Sequence, residues 1–261
     1  MFSYSFVQWL GFFYIYSFVG WIIESVIVSV TERRLVNRGF LRGPFLPLYG
    51  FGGLVILFST IPVKNNLFLV FLCGMVGTTL LEYFTAWLME LLFKMKYWDY
   101  SQQRFNYKGR ISLTSSLFWG ALSLFLIFGL HRLVEKVLFF FAPTALNITV
   151  FVLSAVVLAD AIQAFRTALD VNKLLATITK ITEEIEQLKE QLAEKVESSE
   201  YARNLKDRLQ ELRTELTQVL GKISIFKISL INAHPRAYSK NFNKALQAVR
   251  GKINERKSKW L

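Results

Sequence analysis

At 261 residues, 53% hydrophobic and 15% aromatic, with a mean hydropathy of +0.35, the chain is too apolar for an ordinary soluble domain. Its formal net charge of +12 directs attention to anionic partners. A single cysteine, Cys73, excludes a disulfide framework and a cysteine-based metal site.

The apolar residues come in runs. Five segments approach the roughly 17–25 residues that span a hydrocarbon core of about 30 Å. They are Phe6–Val30, Phe45–Ile61, Leu67–Phe93, Ile111–Leu130 and Leu146–Phe165, the second short and rich in glycine. The pattern predicts an all-α, polytopic membrane helical bundle of five spans. A cleavable signal peptide is not expected, because the first eight residues lack Lys and Arg and the first run carries Glu24. Basic residues set the orientation. Arg33, Arg34, Arg38, Arg42, Lys94, Lys96, Arg104, Lys108 and Arg110 lie on one side, against Lys64, Arg132 and Lys136 on the other. The first set is expected in the cytoplasm, with the N-terminus outside and the C-terminus inside.

Between the first two runs lies Val36 to Gly53, VNRGFLRGPFLPLYGFGG. Gly39, Gly43, Pro44, Pro47 and Gly50 prescribe a backbone path, and Asn37, Arg38 and Arg42 supply donors at a membrane edge. Trp98 to Arg110 is a second stretch of this kind, with Asp99, Asn106, Gly109 and Arg110; aromatic belts account for Trp98 but not for Asp99. Trp21 precedes Glu24 as Trp87 precedes Glu90, and Asn37 and Asn106 follow. These echoes suggest a duplicated hairpin with a site at the repeat interface. Recurrence of Trp, Glu and Gly in membrane helices accounts for them equally.

Glu24, Glu82, Glu90 and Asp160 fall within apolar runs, where an ionised carboxylate costs about 2.5–3.5 kcal/mol on insertion scales unless paired or wetted. Glu82 lies about 16 Å from the end of its run at 1.5 Å per residue, and Glu24 about half as deep. Glu82, Ala86 and Glu90 recur every four residues along one stripe. One reading is a polar pocket open to the cytoplasm; the other is that the acids clamp the arginine loops. Arg38, Arg42 and Arg110 are the expected partners, and an arginine left free would suit a phosphate or head group. Arg33 and Arg34 read as positive-inside anchors.

Other chemistry is set aside. The chain lacks G-x-x-x-x-G-K-[ST], so it has no ATP-binding loop of its own, and no cofactor is expected. His131 and His234 have no metal-ligand spacing and read as surface residues. Ser112, Ser115 and Ser116 lack a nucleophile-elbow context. Gly20, Gly74 and Gly77 read as close-packing points between helices.

Past Asp170, Val171, Leu174, Ile178, Ile181, Ile185, Leu188 and Leu192 alternate three and four apart, the seam of a coiled coil. It falters near Ser198 and Ser199 and resumes at Leu205, Leu209, Leu212, Leu216 and Val219. With no Gly or Pro at the break, one long helix is preferred to a hairpin, and residues 171–220 are a candidate homodimer seam. Residues 222–261 hold ten Lys/Arg against Glu255 alone, +9 of the total charge. Phe242, Leu246, Val249 and Ile253 form an apolar stripe apart from Lys240, Lys244, Arg250, Arg256 and Lys257, which predicts a helix lying on anionic lipid. No nucleic-acid module accompanies this charge, so nucleic acid is not the expected partner. Three parts result: a transmembrane domain (1–168), a cytoplasmic coiled-coil helix (169–221) and a basic amphipathic tail (222–261).

GWIIES, VNRGFLRGPFLPLYGFGG, LEYFTAWLMELLF, WDYSQQRFNYKGRISL and SLFWG, in that order, resemble the bacterial membrane family of ABC-transporter type IV permeases over roughly residues 5–165. The resemblance implies a multi-pass cell-membrane protein working with a separate ATPase subunit. Its pattern maps onto Glu24, Asn37, Arg38, Gly39, Gly43, Pro44, Gly50, Glu82, Glu90, Trp98, Asp99, Tyr100, Asn106, Gly109 and Arg110. A permease with a polar acid–arginine site near the cytoplasmic face is the first expectation. A membrane-embedded enzyme or head-group-binding protein, and a scaffold dimerising through its coiled coil, are the alternatives.

Overall fold

Helix ends are written clearly in the sequence. The computed structural model describes residues 4–194 and 199–258. Helix α1 (Phe6–Glu32) starts at a capping box between Ser5 and Gln8 and stops at Arg33, whose backbone turns left-handed at φ 51°. Helix α2 (Pro47–Thr60) begins at a proline, whose missing N–H costs nothing in the first turn, and ends in a 3-10 turn, Ile61–Val63. Asn66 caps α3 (Leu67–Phe93). Ser112 and Ser115 cap α4 (Leu113–Phe125), which passes through a π turn, Leu126–Leu130, into α5 (His131–Phe140). Helix α6 (Pro143–Glu194) continues for 52 residues, about 78 Å at 1.5 Å per residue. Helices α7 (Ser199–Gly221), α8 (Ile225–Ala233) and α9 (Asn243–Ser258) follow. The second loop contains a short antiparallel pair, β1 (Asn106–Tyr107) and β2 (Ile111–Ser112).

Among the described residues, four helices are long and apolar enough to cross a membrane: Phe6–Glu32, Leu67–Phe93, Leu113–Phe140 and Pro143–Ala193. The fifth expected span, Pro47–Val63, is apolar but shorter. It runs antiparallel along α1, with Phe58 stacked on Trp9 at 4.5 Å and Tyr49 against Gly20. Apolarity does not tell these helices which face to bury, since lipid is as apolar as a core; small and polar residues do. On α3 the inward stripe is Gly74, Thr78, Glu82 and Ala86. The outward one is Val76, Leu80, Phe84, Trp87 and Leu91. A Cβ at Gly74 would strike Ser123, and one at Gly77 would come within 2.9 Å of Val55.

The long α6 leaves the bundle on the side of the two polar loops and becomes the spine of a second core. Phe93, Met95 and Tyr97 meet Ala168, Val171, Leu175 and Ile178 there, together with Leu230, Leu246, Val249 and Ile253. Two expectations are corrected here. The stripe of α9 faces protein, not lipid: Leu246 and Val249 are fully buried and Ile253 is 3% exposed. An amphipathic stripe states that something covers it, and α6 was the nearer apolar surface. The side chains of Arg256 and Lys257 lie outside the described residues. Secondly, α7 is not a continuation of α6 but packs back along it. Ile181 and Ile185 close on Leu212, and Arg208 reaches Glu184 at 2.9 Å. The seam expected to pair two chains is therefore occupied within one. Residues 195–198, between the two helices, lie outside the described residues.

Close approach at Gly20 gives a stability test. A Cβ there would fall inside the Tyr49 side chain, so Gly20→Leu should abolish monodisperse folded protein in detergent. Gly251→Ala meets nothing within 4 Å inside α9 and should stabilise by about 0.5–1 kcal/mol, read as a higher melting temperature.

Candidate functional site

The first polar loop, residues 33–46, is held from three directions. From α1, Ser29 Oγ accepts from the Val36 N–H at 2.9 Å and Ser25 Oγ from the Arg38 N–H at 3.1 Å. The Trp21 indole donates to Asn37 at 2.6 Å, and Asn37 in turn donates to the Arg42 carbonyl at 2.8 Å. From α6, both Asp160 oxygens accept backbone N–H groups, from Arg42 at 3.3 Å and Gly43 at 2.8 Å. The Arg42 fork binds Gln163 at 2.5 Å and Thr167 at 3.0 Å and lies 3.8 Å above the Phe226 ring. From α8, the Ala233 carbonyl accepts from Arg38 at 3.0 Å and the Asn232 carbonyl from Arg34 at 3.3 Å. Arg34, expected as a plain anchor, ties the loop to the C-terminal core.

Inside this loop lies a chain of ionisable groups. Arg38 Nε stands 3.6 Å from Glu24, which also accepts from the Tyr49 phenol at 2.9 Å. Tyr100, from the second loop, donates to Glu82 at 3.1 Å. Burial, then the neighbouring Glu82 carboxylate, push the Tyr100 phenol above its ordinary range. The fields of Glu24 and Arg38 also reach Tyr100, so the two acid sites are neighbours. Glu82 itself is 4% exposed, with Ser115 and Trp119 beside it, and its Oε2 has no hydrogen-bond partner among the described residues. Glu82, the acid predicted to lie deepest, has no ion pair among the described residues, whereas Glu24 and Glu90 each face an arginine.

The second loop is a separate construction. Arg110 donates twice to Glu90, at 2.9 and 2.7 Å, and once to the Tyr83 phenol at 3.1 Å. The Arg110 carbonyl accepts from Trp98 at 3.0 Å. Asp99 accepts from Ser101 at 2.5 Å and pairs with Lys96 at 3.5 Å; Asn106 bonds the Ser101, Gln103 and Gly109 backbone. Gly109 has φ +69°, and a Cβ there would strike Asp99 and Ser101. Left-handed backbone otherwise falls on Arg33, Lys94, Phe105 and Lys108. Of the remaining loop-shaping positions, Gly39 is buried against the Leu41 and Phe45 carbonyls, Pro44 sits beside the Asp160 contact, Pro47 begins α2, and Gly50 lies inside α2 against Ser17 and Phe13. Thus Glu24, Arg38 and Glu82 come together, whereas Arg42 with Asp160, and Arg110 with Glu90, Trp98, Asp99 and Asn106, form two flanking clamps.

Residues 11–165, more than half of the chain, match the family described as "Putative ABC-transporter type IV". The chain belongs to this family. No curated protein and no solved structure matches it. The family's region takes in Glu24, Arg38, Glu82, Tyr100 and Arg110, and stops where α6 leaves the bundle.

This ABC-transporter family member holds polar groups that sequence reasoning missed. Both histidines are buried, not at the surface, His131 at 8% and His234 at 5% exposure. His131 bonds Tyr16 at 2.7 Å and Tyr4 at 3.2 Å, while Tyr4 also donates to Glu135 at 2.8 Å. The tyrosines sit among apolar residues and read as interface aromatics; their phenols are the missed signal. His234 Nδ1 carries its proton toward the Leu230 carbonyl at 3.0 Å, and Tyr97 meets the ring edge-on at 4.7 Å.

Burial, then the Arg38 charge, lower the His234 pKa to about 3. Unfolded, it titrates near about 6.5. Between those values the unfolded state binds a proton that the folded state refuses, so stability is complete above pH 6.5 and falls as pH drops. Unfolding of the C-terminal core should lose about 1.4 kcal/mol per pH unit from pH 6.5 to 5 from this group. His234→Gln should flatten that slope; an unchanged slope contradicts the assignment.

Proposed function

We propose that this ABC-transporter family member is the permease component of a transporter, crossing the cell membrane five times with its N-terminus outside and its C-terminus cytoplasmic. The short α2 serves as the second crossing: its 17 residues with the 3-10 turn extend about 25 Å, and it lies alongside α1. The basic loops and the C-terminal core then share the cytoplasmic side.

Glu82 carries the reading of the site. It is a buried carboxyl with no ion pair among the described residues; Tyr100 donates to it, and Glu24 and Tyr49 lie nearby. Glu24 and Glu90 each face an arginine and Asp160 holds backbone N–H groups, whereas Glu82 keeps one oxygen without a hydrogen-bond partner among the described residues. An intramembrane acid outside the ion pairs marks a pathway for substrate or protons. The Glu24–Arg38 pair and the two phenols form a closed gate on its cytoplasmic side. Substrate passage requires that pair to separate, and a docked ATPase supplies the work, since this chain has no ATP-binding loop. The Gly-ordered loop and the C-terminal core, which share Arg38, form its docking face.

The test uses tagged full-length protein from native membranes. A separate ATPase should copurify, and ATP hydrolysis by the reconstituted complex should depend on this chain. Glu82→Gln keeps the shape and should leave the complex folded while bringing coupled transport to background. Stoichiometric purification without any ATPase, or full transport by Glu82→Gln, would overturn the proposal.

A further inference from the structure

On the lipid-facing side of the second clamp lies a groove of about 270 Å³ between the end of α3 and the turn before α9. It is distinct from the Glu82 site, and its charge is one-sided. Lys94, Lys96, Arg110 and Lys240 line it against Glu90 alone. Glu90 is already spent on Arg110 at 2.7 Å, and Lys96 is shared between the Lys108 carbonyl and Asp99. Lys94 and Lys240 are exposed, and neither ammonium has a side-chain partner among the described residues.

The backbone at Lys94 adds a second observation. Lys94 ends α3 in the left-handed conformation, φ 53°, where glycine sits at lower cost. A lysine kept there presents its ammonium to the groove at the carbonyl end of the helix. The wall on the bundle side is apolar: Trp87 is 40% and Leu91 50% exposed, continuing the outward stripe of α3. Cations above, an indole at the boundary and an aliphatic face below match the order of a phospholipid from phosphate to acyl chain.

We propose that this groove binds one anionic glycerophospholipid of the leaflet on the loop side. Its phosphodiester lies between Lys94 and Lys240, and its chains lie along Trp87 and Leu91. Lys240 follows Ser239, whose hydroxyl donates to the Lys94 carbonyl at 2.8 Å, so the lipid joins the end of α3 to the C-terminal core. A lipid placed there braces the join between the two cores without entering the polar site.

Native mass spectrometry of the full chain in non-ionic detergent, titrated with phosphatidylglycerol or phosphatidylcholine, tests this. The parent should hold one phosphatidylglycerol in preference to phosphatidylcholine. Lys94→Gly with Lys240→Ala keeps the left-handed cap and should weaken that binding about twenty-fold. Lys189→Ala with Lys206→Ala, the same charge change on the distal hairpin, should leave it unchanged. Lys240→Glu, in a solvent-facing turn, carries the same test alone if the double variant misfolds. The proposal is overturned if groove variants bind as the parent does, if the distal pair weakens binding equally, or if phosphatidylcholine binds as well. Displacement by millimolar inorganic phosphate would also overturn it in favour of a free-phosphate site.

Discussion

Arg38 ties together the two halves of the molecule. Its guanidinium faces Glu24 of α1 at 3.6 Å and donates to the Ala233 carbonyl that ends α8 at 3.0 Å. Its backbone N–H is held by Ser25. A guanidinium stays charged at any depth and can serve several acceptors in one plane, which a lysine could not do here. The apolar helices and the C-terminal core therefore share one cation.

That arrangement explains why the C-terminal third is not an appendage. Lys96 pairs with Tyr238 backbone to backbone, Ser239 bonds the Lys94 carbonyl, and Arg34 reaches Asn232. Phe40 of the first loop packs on Phe93, Tyr97 and Phe165. A change at the polar site is thus mechanically connected to α8 and α9.

The membrane helices, the two polar loops and the acids were legible in the sequence because each breaks a local rule. Glu82 in an apolar run and Pro47 after two glycines announce themselves without tertiary context. That the arginines would meet the acids followed from charge and depth; which acid each would take, as Arg110 takes Glu90, did not. What covers an apolar stripe did not follow. Leu246, Val249 and Ile253 promised a buried face, and lipid and protein satisfy that promise equally. The packing of α7 back on α6 was hidden because the sequence between them carries neither Gly nor Pro, while both helices kept heptad spacing. The phenols of Tyr49 and Tyr100 were hidden because a tyrosine near a membrane edge reads as an anchor.

Hydrogen exchange on the full-length Arg38→Gln variant, compared with the parent in the same bilayer discs, tests the shared cation most directly. If Arg38 joins the two halves, exchange rises together in residues 36–43 and in the α8 segment 228–234. Exchange that rises in the loop alone, with α8 protected as before, would contradict it.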